Sequence, residues 1–318
     1  MNDEQIHQPK VSILIPVFNR KDYISECIQS ALDQTFTDFE IIVVDNASDD
    51  GTWEICQKFS EADQRVRIFR NESNIGPVRN WIRCAQEAKG SLSKILFSDD
   101  CLEPNCLSEM VPKLDDQDVA LVYCAARIGK SREESVIAYS QVDSSRLSST
   151  QFLNLVLSGK APVSPGAVLI RTHDLIKNLH STFPTSTPRQ FEKNGAGPDV
   201  MILLLTSINY PYVANIEMPL VYFRAHAGSF SIENLNNDVA KGYSSALAYL
   251  LINNHTRKLW ICYLAYSWLQ KIRASRSWVN PRFHLIEYEG SGSAIEIIKL
   301  EFYAMRHIIS MIATYKFS

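Results

Sequence analysis

The sequence predicts an α/β fold built on a mostly parallel sheet. Three runs carry that expectation: Val11-Ser-Ile-Leu-Ile-Pro-Val-Phe-Asn-Arg20, Glu40-Ile-Ile-Val-Val-Asp45 and Lys94-Ile-Leu-Phe-Ser-Asp99-Asp100. Each is a short aliphatic stretch bounded by polar turn residues, the pattern of a strand buried on both faces. Each delivers its polar residues at the carboxyl end of the strand: Asn19 and Arg20, Asp45, then Asp99 and Asp100. Open α/β sheets bind ligands along that edge, so the three ends together predict one acidic pocket able to take a metal ion.

The elements follow in alternation. Residues 11–17 form the first strand. Residues 20–35 carry apolar side chains at Tyr23, Ile24, Cys27, Ile28, Ala31 and Leu32, which is helical spacing with one buried face. A second strand at 40–45 leads through Ser48-Asp-Asp-Gly-Thr52 into a helix over 52–59. A short strand follows at 65–70, then a helix from Asn74 to about Lys89, closed by Gly90, and a fourth strand at 95–97. Such alternation predicts right-handed crossovers and parallel pairing. Further on, the pattern predicts a helix over 104–114, a strand over 119–125 and a turn-rich loop or hairpin over 129–149. A helix over 152–157 and a strand over 166–171 come next. Residues 182–198, rich in Pro, Gly, Ser and Thr, read as a long loop beside a substrate site. A helix over 199–208 and a last core strand over 219–223 complete a domain spanning 1–235, in two halves at 10–115 and 116–235. Residues 236–318 read as a helical extension.

Apolar content of 46% and charge of 21% mark an ordinary globular chain able to bury a core. The net charge of −3 gives no case for nucleic acid. The charge is uneven, with ten Lys/Arg against four Asp/Glu from Lys241 onward. That basic tail suits an anionic partner such as a membrane surface, and equally a solvated helix face. Seven Cys with no CxxC pair predict reduced, buried thiols in a cytosolic protein. No apolar run reaches ~18 residues, so no transmembrane helix is expected. The N-terminus has no apolar signal region, and the protein is expected in the cytoplasm, with the inner face of the membrane as the alternative.

Paired carboxylates at Asp99 and Asp100, at the end of a buried strand, are costly unless neutralised. A hard divalent cation, Mg²⁺ or Mn²⁺, would do so by bridging carboxylate to substrate phosphates; helix capping is the plainer alternative. The run from Asp45 to Gly51 fails as an EF-hand because Ala47 takes a ligand position. There is no GxGxxG and no GxxxxGK[ST] to support a dinucleotide or P-loop reading.

The runs above, with Asn46-Ala-Ser-Asp-Asp-Gly-Thr52 and Asn74-Ile-Gly-Pro-Val-Arg79-Asn80, occur in an order and spacing that resembles family 2 glycosyltransferases. The likeness is firm from Val11 to Leu114, looser to about Ser231 and absent from the tail. It implies a GT-A fold, Rossmann-like, with a nucleotide-binding half at 10–115 and an acceptor half at 116–235, and an inverting transfer from a nucleotide-sugar, with UDP as the expected nucleotide. Pro16, Phe18 and Arg20 fall where the family lines the nucleotide pocket. Asp45 matches the acid that accepts from the base, and Arg79 a position near base and phosphates. Asp100 matches the direct metal ligand, with Asp99 holding ribose or donor sugar or joining the metal. Phe97 stands where many members have an Asp, which thins the ligand set. Asp199 opens a helix at the place of the catalytic base; a helix-capping role is the alternative. Arg224-Ala-His226 resembles the segment near the donor diphosphate, so His226 is expected to touch phosphate or metal.

The expected acceptor is a glycan or lipid-linked glycan in surface polysaccharide assembly. The aromatic stretches around Tyr243–Ile252 and Leu259–Leu269, followed by Lys271, Arg273 and Arg276, suit a membrane interface, a homodimer seam or packing on the catalytic domain. Three rivals stand beside this reading. A sugar nucleotidyltransferase wants a Gly-rich loop after the first strand, which Val17-Phe-Asn-Arg-Lys21 lacks. A non-catalytic carbohydrate-binding scaffold is opposed by the intact Asp45, Asp99, Asp100 and Asp199. A processive membrane synthase is opposed by the missing spans and the absence of a Gln-x-x-Arg-Trp signature.

Overall fold

The structure, a computed structural model, describes residues 8–140, 144–183, 191, 195–226, 242–243, 245–246 and 249–250. Contacts divide the chain into two compact units, 1–182 with 190–242, and 183–189 with 243–318. In the second unit, the Phe183 and Tyr249 rings lie 5.5 Å apart between centroids. The helices expected beyond residue 250, and most of the loop expected over 182–198, lie outside the described residues.

The first unit opens with β1 (Val11–Val17), α1 (Ile24–Leu32), β2 (Phe39–Asp45), α2 (Thr52–Ala62), β3 (Val66–Arg70), α3 (Pro77–Glu87) and β4 (Leu92–Ile95). The four strands pair in parallel in the order β3-β2-β1-β4. Every residue of β1 and β2 is buried, and each aliphatic side chain so removed from water contributes roughly 1.5–3 kcal/mol. Helix α1 buries Ile24, Cys27, Ile28 and Ala31, one stripe of its surface.

Pro16 interrupts no ladder in the middle of this sheet. Leu96 donates to the Leu14 carbonyl at 2.9 Å, so Leu14 and Pro16 face β4. That strand pairs no further than Ile95 opposite Leu14, and the proline's missing N–H falls beyond it.

The second half contains β5 (Cys101–Leu102), α4 (Cys106–Met110), a 3₁₀ turn (Val111–Leu114), β6 (Val119–Gly129), β7 (Ser135–Ala138) and β8 (Arg146–Ser148). It continues with α5 (Ser149–Leu157), a 3₁₀ turn (Pro165–Ala167), β9 (Val168–Arg171), α6 (Thr172–Asn178), α7 (Pro198–Ser207) and β10 (Tyr212–Arg224). The sheet runs β3-β2-β1-β4-β9-β6-β10-β5. Here the pairing is mixed: β9 lies antiparallel to β4 and β6, β10 lies parallel to β6, and β5 pairs antiparallel with β10. The two-residue β5 ladder, Val221 with Leu102 and Tyr222 with Cys101, sets the end of β10 beside the Asp99–Asp100 turn.

Several boundaries differ from the sequence reading for identifiable reasons. The fourth strand is Leu92–Ile95 rather than 95–97, because Ser93 and Lys94 are buried polar residues inside it. Gly90 does not close α3, which ends at Glu87 with an extended residue behind it. Instead it lies on β1, where an added Cβ would come within 2.6 Å of the Ser12 nitrogen. Helix α5 starts at Ser149, earlier than expected, under a capping box between Ser148 and Gln151. The last strand is thirteen residues long, and α6 was not foreseen.

Candidate active site

The loops that leave β1 and β2 are stitched together first. Asn19, at φ 49°, donates its N–H to Ser48 Oγ at 2.9 Å and its amide to Asp49 Oδ1 at 2.9 Å. The Asp49 N–H answers to Asn19 Oδ1 at 3.1 Å. Arg20 N–H donates to Thr52 Oγ1 at 2.8 Å, and Lys21 N–H to Asp50 Oδ2 at 3.1 Å. Asn tolerates a left-handed backbone; Ala47, at φ 65°, costs about 1–2 kcal/mol there. The bonds that Ser48 makes on either side hold it in place.

Asp45 ends β2 with 0% exposure. Its carboxylate accepts from the Ser48 hydroxyl, and from the Ser48 N–H at 3.1 Å. Arg70 Nε, from the register partner on β3, stands 3.1 Å from Oδ2. Asp45 is therefore already bonded within the protein. Its neighbour Asn46 joins Asn71 and Asn74, and Asn80 donates to the Val44 carbonyl at 2.9 Å. This asparagine network shapes the loop before α3. Arg79 stands on the exposed face of the first turn of α3, and Phe18, at the end of β1, is 39% exposed.

The second cluster forms where β4 and β10 end and α1 begins. Asp99 Oδ2 lies 2.8 Å from His226 Nε2 and 3.7 Å from Arg20 Nε. The His226 ring is 4.7 Å from that of Tyr23, between centroids. Asp100 Oδ1 accepts from the Arg224 N–H at 3.0 Å, while Arg224 Nε donates to the Asp99 carbonyl at 3.1 Å. The Arg224 guanidinium pairs with Glu26 and lies 5.3 Å from each of the Tyr23 and Tyr222 ring centroids. Burial pushes the Asp100 carboxyl well above the usual carboxylate range, and the charge of Asp99 adds to the rise. The Arg224 N–H bond and the charges of Lys94 and Arg224 oppose it. Asp100 Oδ2 accepts no hydrogen bond from a described residue.

Asp199 lies in the first turn of α7 behind Gly197 and Pro198. Its Oδ1 accepts from the Gly197 N–H at 2.8 Å and the Val200 N–H at 2.7 Å. Aromatic packing connects this helix start to the Asp99–Asp100 turn. An added Cβ on Gly195 would meet the Trp81 ring, the Trp81 and Phe97 rings pack tilted with centroids 5.4 Å apart, and Gly166 fits against Phe97 and Phe223.

Thus Arg20, Asp99, Asp100 and His226 come together, and Asp45 joins them through Ser48 and Asn19. Sequence reasoning missed Arg70, Glu26 and Tyr23, and it gave Arg224 no role of its own. The Arg-x-His spacing was the one available signal for Arg224. Glu26 reads as an ordinary polar position on an amphipathic helix.

Comparison with known proteins gives this geometry a family. The chondroitin synthase of Pasteurella multocida is 38% identical over 132 residues, 40% of this chain and 13% of that protein. The chain spans less than half the length of the curated relatives it matches. Among solved structures, S. aureus TarS 1–349 in complex with UDP-GlcNAc superposes with a TM-score of 0.59 at 17% identity, over 95% of this chain and 92% of that one. The mannosyltransferase PcManGT from Pyrobaculum calidifontis, in complex with GDP-Man and Mn²⁺, gives 0.53 at 17% identity, over 98% and 84%. These likenesses establish the GT-A fold. Residues 12–177, just over half the chain, match the family description Glycosyl transferase family 2, and the chain belongs to that family.

Proposed function

We propose that this chain transfers a sugar from a nucleotide-sugar, a UDP-sugar in the first place, to an acceptor hydroxyl with inversion at the anomeric carbon. The observation that carries the reading is the convergence of Arg20, Asp99, Asp100 and His226 at one strand edge. That edge is where an open α/β sheet receives a phosphorylated ligand.

Among the described residues, no three His, Cys, Asp or Glu side chains converge to hold a metal unaided. The donor set fits a cation held differently. Mg²⁺ and Mn²⁺ sites commonly use one or two carboxylates and complete the shell with substrate phosphate and water. Asp100 Oδ2 is the carboxylate oxygen best suited, with Asp99 beside it. When bound, the cation would stabilise the leaving diphosphate. Arg20 and His226 would meet the phosphates, and Pro16 and Phe18 would line the nucleotide pocket. Arg79 would lie near the base and phosphates. Asp45, whose carboxylate is engaged by Ser48 and Arg70, would order the loop that carries the base and meet its N–H in that arrangement.

Asp199 is the proposed general base. Two backbone N–H bonds to Oδ1 orient its carboxylate, which would take the acceptor proton. Asp199→Asn should slow transfer by about 10²–10⁴-fold while leaving donor affinity unchanged. Release of nucleoside diphosphate from a panel of UDP-, GDP- and dTDP-sugars, with donor binding measured in parallel, tests this. An unchanged rate in a folded Asp199→Asn protein would remove Asp199 from the chemistry.

The proposed acceptor is a glycan or lipid-linked glycan in surface polysaccharide assembly, a reading supported by similarity to a polysaccharide synthase. Among the described residues, no helix is long and apolar enough to cross a membrane. Location in the cytoplasm, at the inner membrane face or in a homodimer through residues 236–318 belongs to the same proposal, as does a catalytic domain ending near residue 235.

A further inference from the structure

Near the Asp99–Asp100 turn is a side chain to which the proposed reaction gives no role. Lys94 sits within β4 and is 0% exposed. Its Nζ donates to the carbonyl oxygens of Gly166 and, at 3.3 Å, of Ile95. Both partners are neutral, and no described carboxylate forms an ion pair with it. A lysine is almost never fully buried unless paired, and a methionine would occupy similar space without desolvating a charge. The residue therefore invites an account of what its charge does.

Two neighbours supply one. The first is the Pro165–Ala167 turn. Lys94 holds its Gly166 carbonyl, and Cys124 Sγ stands 3.5 Å from its Ala167 carbonyl. That turn fits against Phe97, two residues before Asp99, and Phe223, next to the Arg224 whose N–H bonds Asp100. The second is the Asp99–Asp100 turn: the Phe97 carbonyl accepts from the Asp100 N–H at 2.9 Å, and the Phe97 ring packs against Gly166, whose carbonyl Lys94 holds.

We propose that Lys94 is a positioning residue of the donor site: its ammonium ties the Pro165–Ala167 turn to the end of β4 and acts as a fixed positive charge near Asp99 and Asp100. The free protein then holds a divalent cation weakly, and the cation is retained only with the donor diphosphate. This rests on the reading of the site as one for a cation and a diphosphate. The physics has a definite sign. A fixed positive charge in a poorly screened interior opposes a second cation nearby, so its removal strengthens cation binding. A purely structural lysine would give the opposite result, because loosening the turn spoils the site.

The test is direct Mn²⁺ binding, followed by the electron paramagnetic resonance signal of free Mn²⁺ in slightly alkaline buffer, with and without UDP. Lys94→Met removes charge and donor; Lys94→Gln removes the charge but keeps an N–H for Gly166; Lys94→Arg keeps the charge. The expected result is Mn²⁺ binding about tenfold tighter in the absence of UDP for the Met and Gln variants, with Arg close to wild type. Unchanged or weaker binding in folded Met or Gln variants overturns the proposal. So does a failure of both uncharged variants to fold while Lys94→Arg folds, since the charge would then serve the fold rather than the cation. If wild type binds no Mn²⁺ even with UDP, the underlying reading of the site fails, whereas wild-type binding without tightening in the variants defeats only the Lys94 inference.

Discussion

Gly195 and Gly159 form a matched pair that isolates one contact. Both have φ +72°, a backbone conformation in which any side chain is strained. At Gly159 an added Cβ would meet nothing within 4 Å. At Gly195 it would come to 2.4 Å from Trp81 Cη2, 2.9 Å from Cζ2 and 3.2 Å from Cζ3, so the ring must move. Alanine at Gly159 should cost only the backbone term, about 1 kcal/mol. Alanine at Gly195 adds overpacking against a buried indole, a further ~1–3 kcal/mol. Because Trp81 packs against Phe97, two residues before Asp99, Gly195→Ala should also weaken nucleotide binding, and Gly159→Ala should not. Urea unfolding followed by circular dichroism, with nucleotide titration of each folded variant, reads both effects. Equal losses of stability, with equal nucleotide affinities, would refute the aromatic connection between the start of α7 and the carboxylate turn.

Two further outcomes follow from charge and burial. The Asp100 carboxyl titrates above its unfolded value, so its contribution to stability is full at acid pH and is lost as pH rises through the raised value. Asp100→Asn, which keeps an acceptor for the Arg224 N–H, should raise the thermal midpoint at neutral pH in chelator-containing buffer. The gain should vanish below about pH 4, where wild-type Asp100 is protonated in both states; a gain independent of pH would contradict the assignment. Cys27, Cys56, Cys84, Cys101, Cys106 and Cys124 are all free and buried. Burial pushes the thiol of Cys56 up to about 12 and those of Cys101 and Cys124 up to about 11. Peptide mapping after brief maleimide treatment at neutral pH should find these six unmodified in native protein and modified in urea; rapid native labelling of any one would show that its strand or helix opens.

The parallel half of the sheet was legible because β1 and β2 are buried on both faces, and an unbroken aliphatic run reports that directly. The mixed half was harder to read. In β10 the exposed Glu217 and Met218 break the pattern in mid-strand, and only the residues after them read as core. In β4 a buried lysine and serine imitate a loop. Helix α6, seven residues long, offers too few turns for a periodic signal. The strand ends announced the acidic edge, since Asp45 closes β2 and Asp99 and Asp100 lie in the turn just after β4. The pairings that organise it were invisible: Asp99 meets His226 127 positions away, and Arg224 meets Glu26 across 198. Sequence spacing carries no record of such contacts, which depend on β10 returning beside β5. Asp45 shows the same limit, because nothing in its own strand indicates that Ser48 and Arg70 engage its carboxylate.

Calorimetric titration of UDP, with and without Mn²⁺, against wild type and Asp100→Ala tests the central claim most directly, with GDP and dTDP as competitors for the donor pocket. Tight UDP binding that requires Mn²⁺ and is lost in the variant is the predicted result. Binding that is indifferent to the metal and to Asp100, or no binding of any of the three diphosphates by folded wild-type protein, would contradict the proposed donor site.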